Sequence, residues 1–173
     1  MIIDQVVLTE NKISSIIKNL SEKIIHYYWE TDEILMIGIL EGALYFATDL
    51  KKMLPEKFDL TFVKATSYEN NKSTGQVNID FTSTGPIMGR NILLIDDIYD
   101  TGQTLYALSK KIKETEITSF ATCVLLNRIN NHQKQIDVTF NGYNIEDDKF
   151  LVGYGLDYEG EHREMPYIIS VKN

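Results

Sequence analysis

The sequence predicts an α/β domain built on a mainly parallel sheet. Three observations lead there. Uncharged apolar runs at 34–40, 91–95 and 118–126 read as strands buried on both faces, as parallel strands are. The first two each pass through a glycine-containing turn into a helix-patterned stretch. The order β-α-β-β-β-α-β-β, with short connections, is that of crossover units, whose ligands sit at the carboxyl ends of the strands.

The elements follow in chain order. Over 10–29, Ile13, Ile16, Ile17, Leu20, Ile24 and Ile25 form one stripe of an amphipathic helix, with Thr9 as its N-cap. His26, Tyr27 and Tyr28 near its end read as packing contacts. The strand at 34–40 runs into Glu41, Gly42 and Ala43, then a periodic helix at 44–53 that Pro55 ends. Residues 58–68 alternate as a strand, 69–75 are polar, and 76–81 return as a second strand. The strand at 91–95 leads to a helix on which Leu105, Leu108 and Ile112 share a face. The strand at 118–126 ends in Asn127 and Arg128. Residues 136–143 contain Val138, Thr139 and Phe140 and read as ending in an Asn141-Gly142 turn. There are no repeats, linkers or low-complexity segments, so residues 1–173 read as one domain.

Composition excludes several classes. A chain of 173 residues that is 43% apolar supports one well-sized core. Its 25 acidic and 17 basic residues give a net charge of −8, against nonspecific nucleic-acid binding. A lone Cys123 excludes an internal disulfide and fits a reducing cytoplasm. It lies in an apolar run and reads as an inert buried thiol. The first seven residues carry an acid and no basic region, so no signal peptide is expected. No apolar run approaches the ~20 residues of a membrane span.

The stretch 91–105, NILLIDDIYDTGQTL, carries the chemistry. A helix N-terminus presents unpaired N–H groups and partial positive charge, and so attracts phosphate. Gly102 lets the backbone approach, and Thr101 and Thr104 add hydroxyls on either side of Gln103. Asp96 and Asp97 repel a phosphate but suit sugar hydroxyls or a divalent cation. A phosphate and a diol side by side describe a ribose 5-phosphate. The literal DDxxD here follows a strand rather than lying on a helix, so it is not the prenyl-transfer metal motif. No P-loop motif occurs.

ILLIDDIYDTGQTL resembles the phosphoribosyl-diphosphate signature of the type I phosphoribosyltransferases, and from about Leu8 to the C-terminus the chain resembles their hypoxanthine-guanine branch. The resemblance implies a twisted sheet flanked by helices, a small hood and a flexible lid loop, with Ser67 and Tyr68 at the lid's base. It implies ribose-phosphate binding by Asp96, Asp97, Asp100, Thr101, Gly102, Gln103 and Thr104. Pyrophosphate contacts would come from Glu41, Gly42 and Arg163, with a non-proline cis peptide at Leu40–Glu41. Glu41 stands where the family has a lysine or another non-acidic residue. The purine would meet Ile98, Phe150, Leu151 and Asp157, and Arg128 stands where the family's lysine donates to the 6-oxo group. Asp100 would be the general base. Mg²⁺ would be the cofactor, with Asp96, Asp97 and Asp157 as candidate ligands.

The activity so implied converts a 6-oxopurine, hypoxanthine first and guanine second, plus 5-phosphoribosyl 1-diphosphate to IMP or GMP and pyrophosphate. A cytoplasmic homodimer or homotetramer, without membrane or nucleic-acid partners, goes with it. Two alternatives stay open. Arg128 and Glu41 leave room for another base, such as xanthine. A noncatalytic nucleotide- or RNA-binding regulator of the same fold would need a local basic patch.

Overall fold

A computed structural model describes residues 1–67, 77–80 and 84–172. The elements are β1 (Ile2–Leu8), α1 (Glu10–Tyr27), β2 (Ile34–Leu40), α2 (Leu44–Lys52), β3 (Phe58–Ser67), β4 (Val77–Asp80), β5 (Asn91–Tyr99), α3 (Gln103–Lys113), β6 (Ser119–Arg128), β7 (Phe140–Ile145), β8 (Phe150–Val152) and β9 (Ile168–Lys172). The main sheet has the order β4-β3-β2-β5-β6-β7. Its strands β3, β2, β5, β6 and β7 run parallel, and β4 is an antiparallel edge.

Strand periodicity divides the core into two layers. In β2, Ile34 and Met36 face one side and Leu35, Ile37 and Ile39 the other. The first side packs on α1 and α2 through Ile13, Ile17, Leu20, Ile24, Phe46 and Leu50. The second packs on α3 through Leu105, Leu108 and Ile112. Cys123 is wholly buried, and burial pushes its thiol pKa up, which fits an inert packing role. Among the described residues, no helix is long and apolar enough to cross a membrane.

Helix α1 starts as the sequence indicates, with Lys12 N–H donating to Thr9 Oγ1 at 3.3 Å. It stops at Tyr27, two residues before the expected end. There the Tyr28 ring turns into the core, edge-on to Tyr27 and to Phe58 at 4.9 and 5.7 Å. Lys57 Nζ then takes up the carbonyls of Tyr28 and Thr31, each at 2.8 Å.

Asn141 and Gly142 do not form a turn; they lie inside β7. A Cβ at Gly142 would come within 2.5 Å of the Leu125 carbonyl and 2.9 Å of Ile16 Cγ2. The glycine serves close packing of α1 on the sheet.

A second, antiparallel sheet of order β1-β9-β8 forms the hood. Asp4 of β1 ties it together. It accepts from Lys149 Nζ at 2.7 Å and Ser170 Oγ at 3.3 Å. Of the expected lid, Tyr68 and residues 69–75 lie outside the described residues, and Ser67 is the last residue of β3.

Candidate active site

Strand β5 does not end at Ile95. It runs through Asp96 and Asp97 to Tyr99, because β6 keeps pairing with it as far as Tyr99 opposite Asn127. On its other side β2 pairs with it only to Gly38 opposite Ile95. The acidic pair therefore sits on a strand that outruns one neighbour, above the turn where β2 ends. Both carboxylates are 8% exposed.

That turn contains a cis peptide between Leu40 and Glu41. Gly42 follows, and Asp97 packs directly on it: a Cβ there would lie 2.1 Å from Asp97 Oδ2. Ile98 N–H donates to Asp97 Oδ1 at 2.9 Å, and Asp97 N–H donates to Asp96 Oδ1 at 3.1 Å. Burial pushes the Asp96 carboxyl well above the ordinary range, and the adjacent Asp97 charge pushes it further. Burial raises Asp97 as well, offset in part by hydrogen bonds. The pair thus holds a proton to higher pH than an exposed aspartate would.

Beyond Tyr99 the chain turns through Asp100 and Thr101 into α3. Gly102 caps the helix at φ 81°, in the left-handed region that glycine adopts freely. The first helical bond runs from Tyr106 N–H to Gly102 O at 2.9 Å, and Gln103 N–H, which has no helical partner, turns to Thr101 Oγ1 at 3.5 Å. A hollow of about 300 Å³ opens over this turn. Asp96, Asp97, Asp100, Thr101, Gly102, Gln103 and Thr104 all line it, as do Gly42 and Arg163.

A second hollow, of about 250 Å³, adjoins it and shares Asp97, Ile98, Asp100 and Arg163. Its remaining walls include Arg128, Phe150, Leu151 and Asp157. Phe150 is 47% exposed and meets Tyr158 edge-on at 5.9 Å, which leaves a ring face for stacking.

Arg128 is buried, and its ends are largely engaged. Its Nη1 donates to Asp147 O and its Nη2 to Lys149 O at 3.0 Å. Its Nε stands 3.1 Å from Asp100 Oδ1, off line for a hydrogen bond, so that contact is ionic. Each terminal nitrogen keeps one further N–H.

Arg163 bridges the two sides. Its Nη2 lies 2.8 Å from Asp157 Oδ1 and its Nη1 donates to Gly155 O at 2.5 Å. The Glu41 carboxylate does not line either hollow. It is exposed, 3.7 Å from Arg163 Nε and 4.0 Å from Lys64 Nζ, so it faces cations while the turn's backbone borders the hollow.

Asn131 escaped the sequence reading. It lines the second hollow and donates from Nδ2 to Asp100 Oδ1 at 2.6 Å. An asparagine in a polar loop carries no local signal, and 31 positions separate the partners.

The chain matches the phosphoribosyl transferase domain over residues 6–159. A hypoxanthine-guanine phosphoribosyltransferase of Mycobacterium tuberculosis is 34% identical over 172 residues, covering 96% of this chain and 85% of the relative. The crystal structure of a hypoxanthine phosphoribosyltransferase from Staphylococcus aureus superposes with a TM-score of 0.91 at 32% identity, covering 98% and 92% of the two chains. A Trypanosoma cruzi hypoxanthine phosphoribosyl transferase, studied for the role of its C-terminal region in oligomeric state and activity, gives a TM-score of 0.91 at 26% identity, with 99% and 92% covered.

Proposed function

The chain belongs to the phosphoribosyl transferase family, and from that premise we propose that it joins a 6-oxopurine, hypoxanthine or guanine, to 5-phosphoribosyl 1-diphosphate, releasing IMP or GMP and pyrophosphate. The observation that carries this reading is the pair of adjoining hollows that share Asp97, Ile98, Asp100 and Arg163. One is built for phosphate and sugar hydroxyls and the other for a flat ring. Their common wall is where C1 of the ribose and N9 of the base would meet.

In this reading the turn before α3 holds the 5-phosphate, and Asp96 and Asp97 accept from the ribose hydroxyls. The purine stacks on Phe150, with Ile98 on its other face and the Leu151 main chain at its edge. One of the two remaining terminal N–H groups of Arg128 donates to the 6-oxo oxygen. Asp100 accepts the N7 proton as N9 attacks C1 and the bond to pyrophosphate breaks. Arg163 and the backbone of the turn at Gly42 hold the departing pyrophosphate.

Among the described residues no group of three acidic, histidine or cysteine side chains converges, so a cation has no all-protein cage. The donor set fits Mg²⁺ nonetheless, since that ion is held by one or two carboxylates, water and substrate phosphates. Asp157, or the Asp96–Asp97 pair at the sugar, would hold it, and it would neutralise charge on the pyrophosphate. A homo-oligomer working in the cytoplasm completes the reading. The Trypanosoma cruzi relative, whose C-terminal region bears on its oligomeric state, supports the first part.

The test is an assay of the purified protein with hypoxanthine, guanine, xanthine and adenine, each with 5-phosphoribosyl 1-diphosphate and Mg²⁺. Turnover of hypoxanthine and guanine is the expected result. Turnover of xanthine alone would move the base assignment, and no turnover of any base would overturn the reading. Asp100→Asn should lower kcat by about 10²–10⁴-fold while leaving KM for hypoxanthine within about threefold.

A further inference from the structure

We propose that Asn131 is a positioning residue for Asp100: its amide fixes one carboxylate oxygen so that the other faces the base. This rests on the reading of Asp100 as proton acceptor. An aspartate's terminal torsion is broad, so a carboxylate on an open turn samples many orientations. Here Asn131 Nδ2 donates to Asp100 Oδ1 at 2.6 Å, and Arg128 Nε stands 3.1 Å from the same oxygen. Only the amide nitrogen of asparagine can donate to a carboxylate, so the orientation of Asn131 follows from the contact. Among the described residues no side chain pairs with Asp100 Oδ2.

The loop that carries Asn131 is bolted to the loop that carries Asp100. Gln133 N–H and Lys134 N–H both donate to Thr101 O, at 2.9 and 3.1 Å. Tyr99 Oη donates to Lys134 O at 2.7 Å and accepts from Ile136 N–H at 3.2 Å. The His132 ring lies flat on Tyr99 with centroids 3.7 Å apart, and its Nε2 is 2.9 Å from Asn127 Oδ1. The amide is therefore held in register with Asp100 by bonds on both sides of it. The turn itself does not need the Asn131 side chain, because Asn131 N–H closes it on Arg128 O at 3.2 Å. What the side chain adds is the contact to Asp100.

The experiment is a double-mutant cycle on kcat with Asn131→Ala and Asp100→Asn. Asn131→Ala should lower kcat about ten- to a hundredfold, with KM for 5-phosphoribosyl 1-diphosphate unchanged within about twofold. In the Asp100→Asn background it should cost less than about twofold more, because its effect passes through Asp100. Asn131→Asp, the same shape with a like charge facing Asp100, should be slower than the alanine variant. The side chain is exposed, so an urea midpoint close to that of the parent is expected for both Asn131 variants. An Asn131→Ala enzyme with parental kcat, or one whose loss multiplies fully with that of Asp100→Asn, overturns the inference. If Asp100→Asn itself keeps parental kcat, the base assignment fails, which is a separate result.

Discussion

Arg163 and Asp157 are joined by a 2.8 Å ion pair at the border of the two hollows. In the proposed reaction each has another partner: pyrophosphate for Arg163 and the cation for Asp157. The pair must loosen as diphosphate and cation arrive together, and the two charges keep each other in place until then. Arg163→Ala should raise KM for 5-phosphoribosyl 1-diphosphate at least about tenfold, the weight of a charge-assisted contact to phosphate. KM for hypoxanthine should move less than about threefold. Initial rates with each substrate varied in turn check this, and equal shifts in both constants would remove Arg163 from the pyrophosphate side.

Asp96 gives a pH dependence of stability. Burial and the Asp97 charge raise its folded value, so the folded state keeps a proton that the unfolded chain loses near 3.8. The folded state then binds more protons over the window between those two values. Stability of the ligand-free protein therefore falls as pH rises through that window. Asp96→Asn removes the cost, and each kcal/mol recovered should raise the thermal midpoint at neutral pH by about 2–4 °C. The variant should also flatten the fall in midpoint as pH rises above 3.8, and should bind IMP more weakly. Scanning calorimetry across pH is the measurement. A variant less stable than the parent at neutral pH would contradict the shift.

The acidic pair, the glycine turn and the helix after it were legible because they are contiguous and their chemistry is local. The end of β5 was not, since Asp96 and Asp97 stay in the strand only through pairing with β6, more than twenty positions on. Gly142 reads as a turn beside Asn141 until the Leu125 carbonyl and Ile16 are seen against it. Strand β1 is partnered by β9 at the far end of the chain, so nothing near Ile2 or Val6 announces a sheet. Asn131 reaches Asp100 for the same reason: the parallel pairing of β5 and β6 brings Asn127 opposite Tyr99, and the loops that follow then meet.

Gly42 is where backbone and carboxylate meet most closely. A Cβ would stand 2.1 Å from Asp97 Oδ2 and 2.6 Å from Asp97 Cγ, and the neighbouring Gly155 packs on the Gly42 carbonyl from the other side. Gly42→Ala must therefore displace Asp97. A folded protein destabilised by about 1–3 kcal/mol is expected, with IMP affinity lowered at least about tenfold through loss of the ribose contact. Calorimetric titration with IMP checks it, and parental affinity would show that Asp97 does not hold the sugar.

In the proposed reaction Glu41 competes with pyrophosphate for Arg163. Its carboxylate is exposed, 3.7 Å from the Nε of a partly buried Arg163 and 4.0 Å from the exposed Lys64 Nζ. Exposed pairs of this kind are worth about 0–1 kcal/mol, which bounds the effect. Glu41→Gln should lower KM for 5-phosphoribosyl 1-diphosphate by up to about fivefold and leave kcat near its parental value. A rise in that KM would mean that the carboxylate assists the substrate, through water or the cation.

Arg128 holds the loop that leads into Phe150, the first residue of β8. Its two terminal nitrogens bridge the carbonyls of Asp147 and Lys149, and its Nε faces Asp100. A lysine has one ammonium on a flexible stem and cannot span two carbonyls and a carboxylate in that fork. Arg128→Lys should therefore destabilise the fold by about 1–3 kcal/mol, as polar groups around a buried position lose a partner. It should raise KM for hypoxanthine, because Phe150 loses its support. If the lysine variant matched the parent in both stability and KM, the bridge to Asp147 and Lys149 would be dispensable. The 6-oxo group would then be read without help from the loop.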